Sequence, residues 1–383
     1  MNAEFHIQNN NFIAEVMPNV DMGFQVASSP RHYRVDFPAE HSLAENLVRE
    51  VCAHKAPLML VDSHIQELYL SARSELAVVP TFSVVAGEGV KEISTVLEIV
   101  DFLERNSATK ISMLFVVGGG VIQDLGAFSS AMYKRGLPWT FVPTTLLAQG
   151  DSCVGGKTAL NHKKTKNLLG LFSAPRRVII DTGFLLTLPQ GDLLSGVGEI
   201  FRLCITGGPA FLVVFARLLP AFLAGDAQAA RELIASSLSV KRAVVEFDEF
   251  ELDFRRSMNY GHSFGHALEA LTDFRIPHGV GVTIGILVEN EIAHRRGMLP
   301  LSERDQMLAL GRQIIPEDCR QVFALASLDG ALDLLRQDKK TEGAVLKLAT
   351  LERIGQMRFI DFVLDAGGEA ELRAAVTAVL AEI

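Results

Sequence analysis

One carboxylate and three imidazoles set the chemistry that this sequence can hold. SGVGEIFR places Glu199 in a helical segment, NYGHSFGHALEA places His262 and His266 four residues apart, and IPHGVGV adds His278 sixteen residues beyond His262. Histidines at i and i+4 share a helix face. A carboxylate oxygen with separated imidazole nitrogens is a donor set that suits zinc with an open catalytic position. A helical HxxxH pair also occurs as plain surface residues or helix-capping groups, so the spacing alone leaves both readings open.

Two further segments could meet anions. GGGVIQD (Gly118 to Asp124) follows a strand pattern and opens a helix pattern, so its backbone can approach a ligand and the helix N-terminus can face a phosphate. It is not GxGxxG, and a tight strand-to-helix turn explains it equally well. Asp62 ends a strand pattern, where a carboxylate could hold a ribose hydroxyl or simply make a turn. DSCVGGKTALNHKKTKN (Asp151 to Asn167) reads as one flexible loop that mixes a Gly pair with Asp151, Lys157, Lys166 and Asn167. Fixed cations on a glycine loop suit a phosphate, and a solvated basic loop is the plain alternative. Arg202, Lys241, Arg255 and the DKK run at Lys339 and Lys340 add cations that no spacing rule gathers together.

The elements that must position these residues alternate in the first half. LMLVDS, TFSVVAG, MLFVVGGG, WTFVPTT and RVIIDT are apolar runs ended by turn residues, and VKEISTVLEIVDFLERN between two of them has helical spacing. That pattern indicates βαβ units and a parallel sheet buried on both faces. Residues before about Glu40 carry one strand-like piece, HYRVDF, and read as an extension packed on the first domain. Beyond Pro189 long helical patterns take over until LKLATL (Leu346 to Leu351), which puts a domain boundary near 185 to 195. The fold class expected is α/β + α.

Composition narrows the partners. The 383 residues are 49% hydrophobic and 21% charged, an ordinary globular balance with ample core material. A net charge of −9 argues against nucleic acid or an anionic membrane as the main partner. Cys52, Cys153, Cys204 and Cys319 show no paired spacing, which fits a reducing cytoplasm. The N-terminus lacks the basic start and apolar run of a signal peptide. AFLVVFARLLPAFLAG holds Arg217 and Pro220 and is shorter than a span, so it reads as a buried helix.

Taken in order, GGGVIQD, MYKRG, VPTTLLAQGDSCVGGKT, KTKN, GVGEIFR, NYGHSFGHA, PHG and DKK resemble 3-dehydroquinate synthase and its relatives, the sugar phosphate cyclases, from about Asp62 to Gly355. The resemblance implies a Rossmann-like NAD domain at 41–189 after an extension at 1–40, a mainly helical metal- and substrate-binding domain at 190–383, a site in the cleft between them, and a homodimer. It implies NAD contacts at Asp62, Glu88, Lys91, Gly119, Gly120, Val121, Asp124, Thr144, Thr145, Lys166 and Thr187. It assigns Glu199, His262 and His278 to a divalent metal, Zn²⁺ or Co²⁺. Asp151, Lys157, Asn167, Arg202, Lys241, Arg255, Asn259, His266 and Lys340 fall on substrate or catalytic positions, and Arg135 on one that reaches the neighbouring subunit's substrate phosphate. Such enzymes oxidise a hydroxyl with tightly held NAD, eliminate phosphate, return the hydride and close a ring by aldol addition. In that scheme His266 is a phosphate or proton-relay partner rather than a fourth metal ligand.

Lys241 and Arg255 together suit a substrate carboxylate, because arginine offers a planar fork. This favours a seven-carbon acid phosphate of the 3-deoxy-D-arabino-heptulosonate 7-phosphate type over sedoheptulose 7-phosphate or glucose 6-phosphate, which have none. Three departures mark a divergent branch. Arg202 stands where the family commonly has Lys, Val280 turns the usual HGE into HGV, and Gly150 and Cys153 alter the commoner VDSS. The alternatives are an aminodehydroquinate synthase or sugar cyclase of secondary metabolism, a metal-dependent polyol dehydrogenase, and a non-catalytic paralogue. The last predicts broken metal ligands, and all three are intact. The resemblance gathers Arg135, Lys157, Lys166, Arg202, Lys241, Arg255 and Lys340 in one cleft, so the acidic total describes the exterior.

Overall fold

The computed structural model describes every residue except 1, 9, 18, 22, 29–30, 39–44, 164, 253 and 338–340. Its strands in chain order are β1 (Asn2–Ile7), β2 (Asn10–Glu15), β3 (Phe24–Ser28), β4 (Arg31–Asp36), β5 (Pro57–Asp62), β6 (Thr81–Val84), β7 (Met113–Gly118), β8 (Trp139–Pro143), β9 (Lys157–His162), β10 (Thr165–Phe172), β11 (Arg177–Ile179), β12 (Thr341–Glu342), β13 (Val345–Arg353) and β14 (Gln356–Val363). Seven of them form a sheet in the order β3-β4-β11-β8-β7-β5-β6, parallel except for the β3–β4 pair.

The central strands are nearly continuous apolar runs, with Thr140 the polar residue inside β8, because both faces are covered. Side chains alternate between the faces. Leu58, Leu60, Leu114, Val116, Phe141 and Val178 pack with Val96, Ile99 and Phe102 of the helix Ile93–Arg105 and with Ile122 and Leu125 of the helix Gly120–Met132. Met59, Val61, Phe115, Val117, Val142 and Ile179 pack on the opposite side with Leu47, Val48 and Val51 of the helix Glu45–Ala53. The expected βαβ alternation is therefore present as a doubly covered sheet.

The N-terminal segment is divided rather than packed as one piece on the first sheet. β3 and β4 extend the large sheet, whereas β1 pairs antiparallel with β2 and parallel with β14 in a second sheet of order β12-β13-β14-β1-β2. Phe5 and Phe12 are register partners and stack at 5.2 Å. β2 also docks on the helix Ala227–Phe247, where the Glu15 N–H donates to Ser239 Oγ (2.7 Å) and Ser236 Oγ donates to the Val16 carbonyl (2.5 Å). Tertiary pairing decides this placement, and no local pattern announces it.

The segment read as a flexible Gly-Lys loop is a short π-helical turn over Ala148–Ser152 followed by the antiparallel β9–β10 hairpin. β9 is held by a contact remote in sequence: Asp124 accepts from the Ala159 N–H (3.1 Å), and Thr158 Oγ1 donates to the Asp124 carbonyl (2.8 Å). AFLVVFARLLPAFLAG lies in the helix Pro209–Leu223, and among the described residues no helix is long and apolar enough to cross a membrane.

Two helices of the second half are buried almost all round, as a core helix must be. Leu194 to Thr206 are all buried in the helix Gln190–Thr206, as are Gly279 to Ala293 in the helix His278–Arg295. Gly198 and Gly279 let their backbones touch. A Cβ on Gly198 would overlap the Gly279 carbonyl, and one on Gly279 would overlap the Ser195 carbonyl. The Gly279 N–H donates to Ser195 Oγ at 2.9 Å. This close approach carries Glu199 to His278.

Candidate active site

The donor set converges. Glu199 is 1% exposed, and its Oε1 lies 3.3 Å from His262 Nε2 and 3.0 Å from His278 Nε2. The helix His262–Leu271 presents His262 and His266 on one face, and the ligand nitrogens of His262, His266 and His278 lie within 4.8 Å of one another. His266 thus stands in the same cluster as the two imidazoles on Glu199, while its own side is exposed. Outer contacts fix the two ring orientations. His262 Nδ1 meets the Tyr260 carbonyl at 3.1 Å, and His278 Nδ1 meets Glu269 Oε1 at 2.8 Å. A carboxylate behind a ligating imidazole orients the ring and raises its basicity. Burial would lower the His278 pKa, but hydrogen bonds to Glu199 and Glu269 push it up to about 10. Burial outweighs Glu199 at His262 and lowers that imidazole.

Val280 does not leave a gap beside the Glu/His cluster. It is fully buried in the apolar cluster that includes Leu194, Phe264, Ile276 and Ile284, and the carboxylate beside His278 comes from Glu269 instead. Sequence reading missed Glu269, although its place seven residues after His262 and three after His266 puts it on their face of the helix.

From Glu199 a buried charge relay runs toward the first domain. Arg202 is 2% exposed and donates through Nε to Glu199 Oε2 (2.6 Å), through Nη2 to Asp151 Oδ1 (3.2 Å) and through Nη1 to Met258 Sδ (3.5 Å). Lys241 Nζ donates to Asp151 Oδ1 (2.7 Å) and to the Asp151 carbonyl (2.8 Å). Burial would raise the Glu199 carboxyl, but Arg202 and the two imidazoles hold it well below the usual range. Burial lowers the Lys241 ammonium against the pull of Asp151. Gly150 allows the Asp151 turn to sit on the Glu199 helix, because a Cβ there would lie 2.8 Å from Ile200 Cγ1. Cys153 is buried and donates to the Gln149 carbonyl (3.4 Å).

A second group of cations adjoins this relay. Arg255 is 3% exposed, and among the described residues its guanidinium donates to backbone carbonyls: Nη1 and Nη2 both donate to Gly155 (3.2 Å each), and Nη1 also donates to Glu249. Lys157 pairs with Glu251, whose other oxygen accepts from Asn259 Nδ2 at 3.3 Å. Burial and the nearby Arg255 bring Lys157 down to about 8. Glu251 was not foreseen, since it lies in an acidic run that gives no spacing signal.

The glycine turn lies at the carboxyl edge of the parallel sheet, where α/β folds bind ligands. Register pairs Asp62 with Val84, and Gly118 with Pro143, so Asp62, the glycines and Thr144–Thr145 share that edge. Gly119 caps the helix Gly120–Met132, placing Gly120 and Val121 in its first turn. Asp62 also accepts from the His64 N–H (3.0 Å), so the turn reading holds for it as well. Lys91 is buried between Asp124 Oδ2 (2.6 Å) and Asn167 Oδ1 (2.7 Å). Asn167, expected with the substrate residues, is thereby joined to the cofactor-side group. Asn161 Nδ2 donates to Glu88 Oε2 (2.8 Å), Lys166 Nζ stands 3.8 Å from the centre of the Phe274 ring, and Thr187 Oγ1 meets Tyr69 OH at 2.6 Å. Arg135 is exposed on a left-handed turn (φ 62°) and joins none of these networks, and Lys340 lies outside the described residues.

A parallel sheet with a glycine turn at its carboxyl edge, set against a helical unit that bears a Glu/His cluster and buried cations, defines the class of two-part nucleotide- and metal-dependent enzymes. The structure of 2-deoxy-scyllo-inosose synthase complexed with carbaglucose-6-phosphate, NAD⁺ and Co²⁺ has this fold, with a TM-score of 0.75 at 21% identity over 92% of this chain and 99% of that one. The 2-epi-5-epi-valiolone synthase of Streptomyces hygroscopicus, solved with NAD⁺ and Zn²⁺, is similar at a TM-score of 0.72 and 25% identity, covering 92% and 98%. Models of the 3-dehydroquinate synthase N-terminal and C-terminal regions match residues 81–195 and 196–341. A 3-dehydroquinate synthase of Enterococcus faecalis is 34% identical over 320 residues, 82% of this chain and 88% of that protein. The chain belongs to the 3-dehydroquinate synthase family.

Proposed function

We propose that the protein is a 3-dehydroquinate synthase-type lyase that converts a seven-carbon keto-acid phosphate of the 3-deoxy-D-arabino-heptulosonate 7-phosphate kind to a carbocycle with loss of phosphate. The observation that carries this reading is the unbroken relay Lys241–Asp151–Arg202–Glu199–His262/His278, with Arg255 buried beside it and free of any ion pair within the described residues. A buried guanidinium with only carbonyl partners favours an incoming anion.

The donor chemistry fits a divalent metal, Zn²⁺ or Co²⁺, held by Glu199, His262 and His278, since Glu269 already backs His278 from outside. The carboxyl-edge glycines fit NAD, with Asp62, Glu88, Lys91, Gly119, Gly120, Val121, Asp124, Thr144, Thr145, Lys166 and Thr187 around it. When bound, NAD supplies a reversible hydride acceptor and the metal a Lewis acid for the substrate hydroxyl. Lys241 and Arg255 would hold the substrate carboxylate. Lys157, Asn167 and Lys340, with Arg135 from the other subunit of a homodimer, would offset the phosphate charge. Glu251 occupies Lys157 and Asn259 in this structure, so substrate would exchange with an internal carboxylate there. Asp151 and Arg202 would fix the geometry between the metal donors and the anion-binding cations, and His266 would exchange a proton with the departing phosphate. The four free cysteines support a cytoplasmic setting.

The test supplies heptulosonate phosphate, NAD and a divalent metal, and measures released phosphate, carbocyclic product and NADH. Stoichiometric phosphate and product without net NADH are expected. Folded, metal-loaded protein that releases no phosphate would refute the assignment, and turnover of sedoheptulose 7-phosphate alone would move it to the sugar cyclases.

A further inference from the structure

We propose that Tyr33, on β4 of the N-terminal segment, is a positioning residue that sets the Arg255 guanidinium through Gly155. The inference rests on the reading of Arg255 as a substrate-binding cation.

Tyr33 lies far from the cleft motifs in sequence and carries no motif of its own. It is 4% exposed, on a strand hydrogen-bonded on both sides: Tyr33 is opposite Val26 of β3, and β4 is parallel to β11. Its ring is therefore a fixed post. The phenol oxygen accepts the Gly155 N–H at 2.9 Å. Gly155 has φ +115°, a conformation that side chains rarely adopt, and the space a Cβ would need is filled by the Arg255 guanidinium. The Gly155 carbonyl takes both terminal nitrogens of Arg255. Gly155 is thus gripped by the phenol at its N–H and by the guanidinium at its carbonyl. Because its backbone conformation is permissive, Gly155 needs an outside partner to hold that carbonyl in place. Burial pushes the phenol's pKa up, so Tyr33 stays neutral and leaves the Arg255 charge available to an anion.

Tyr33→Phe keeps the ring and removes the acceptor. In the holoenzyme, KM for heptulosonate phosphate should rise about tenfold while kcat stays within about twofold, the scale of one lost hydrogen bond to a positioned group. In an Arg255→Gln background the same change should alter KM by less than about twofold, because the group it positions is gone. 3-Fluorotyrosine at position 33 keeps an acceptor oxygen at the para position and should keep KM within about twofold of the parent. Unchanged KM in Tyr33→Phe, an equal effect in both backgrounds, or a tenfold higher KM in the 3-fluorotyrosine variant would each overturn the proposal. A parent enzyme that releases no phosphate would instead refute the proposed function, so the two failures are distinguishable.

Discussion

Arg202→Met tests whether the buried relay holds the proposed metal donors in place before any metal arrives. Among the described residues Arg202 is the only guanidinium on Glu199, and its Nε sits 2.6 Å from that buried carboxylate. Removing one partner of a buried pair costs about 3–5 kcal/mol when the charge left behind has no other partner. Asp151 retains Lys241 at 2.7 Å, and Glu199 retains His262 at 3.3 Å and His278 at 3.0 Å, so the loss should fall at the lower end of that range. The loss should be read by native-state hydrogen exchange of the Gln190–Thr206 amides in metal-free protein, which reports local stability without assuming that both halves unfold together. Glu199→Gln in the same chain removes the stranded charge, so the double variant should regain at least about 2 kcal/mol over the sum of the single losses. A loss below about 1 kcal/mol, or additivity within about 0.5 kcal/mol, would show that the relay does not stabilise Glu199.

Two other perturbations probe how the donors are presented. Glu269→Gln removes the carboxylate behind His278 and should weaken metal binding about 10- to 100-fold in a competition titration with a chromogenic chelator, whereas unchanged affinity would mean that the ring is oriented by other contacts. Gly279→Ala pushes a methyl group into the Ser195 carbonyl and should cost more than about 1–3 kcal/mol while lowering bound metal in parallel, and a stable variant with full metal content would contradict the helix contact as the device that joins Glu199 to His278.

The parts of the molecule legible in the sequence are those fixed by local pattern. Nearly continuous apolar runs mark β5, β7, β8 and β11, because a sheet covered on both faces needs no alternation. Spacing put His262 and His266 on one helix face. The parts not legible depend on contacts between distant segments. β9 and β10 read as a loop because KTALNH is stabilised by Asp124 on a helix more than thirty residues earlier. β1 and β2 could not be placed because their partners are β14 and the helix Ala227–Phe247. Lys241, Arg202 and Asp151 were gathered by resemblance alone, and the structure supplies the physical link, one carboxylate shared by two cations. Glu269 was legible by helical spacing and was passed over, Tyr33 was legible only as part of the strand-like HYRVDF, and Glu251 had no local signal.

The parallel β1–β14 pair has a bearing on how the molecule is made. His6 pairs with Gln356, nearly the full length of the chain away. At about 5–20 residues per second, β1 leaves the ribosome on the order of tens of seconds before β14 exists. During that interval Phe5 and Phe12 have no completed sheet to enter, and the edge of β1 that β14 will occupy is open to other chains. The helical half with its proposed metal donors therefore acquires its last sheet only near the end of translation, so a nascent-chain holdase or a fast-refolding environment should raise the yield of native protein more than it raises the yield of the parallel-sheet half expressed alone.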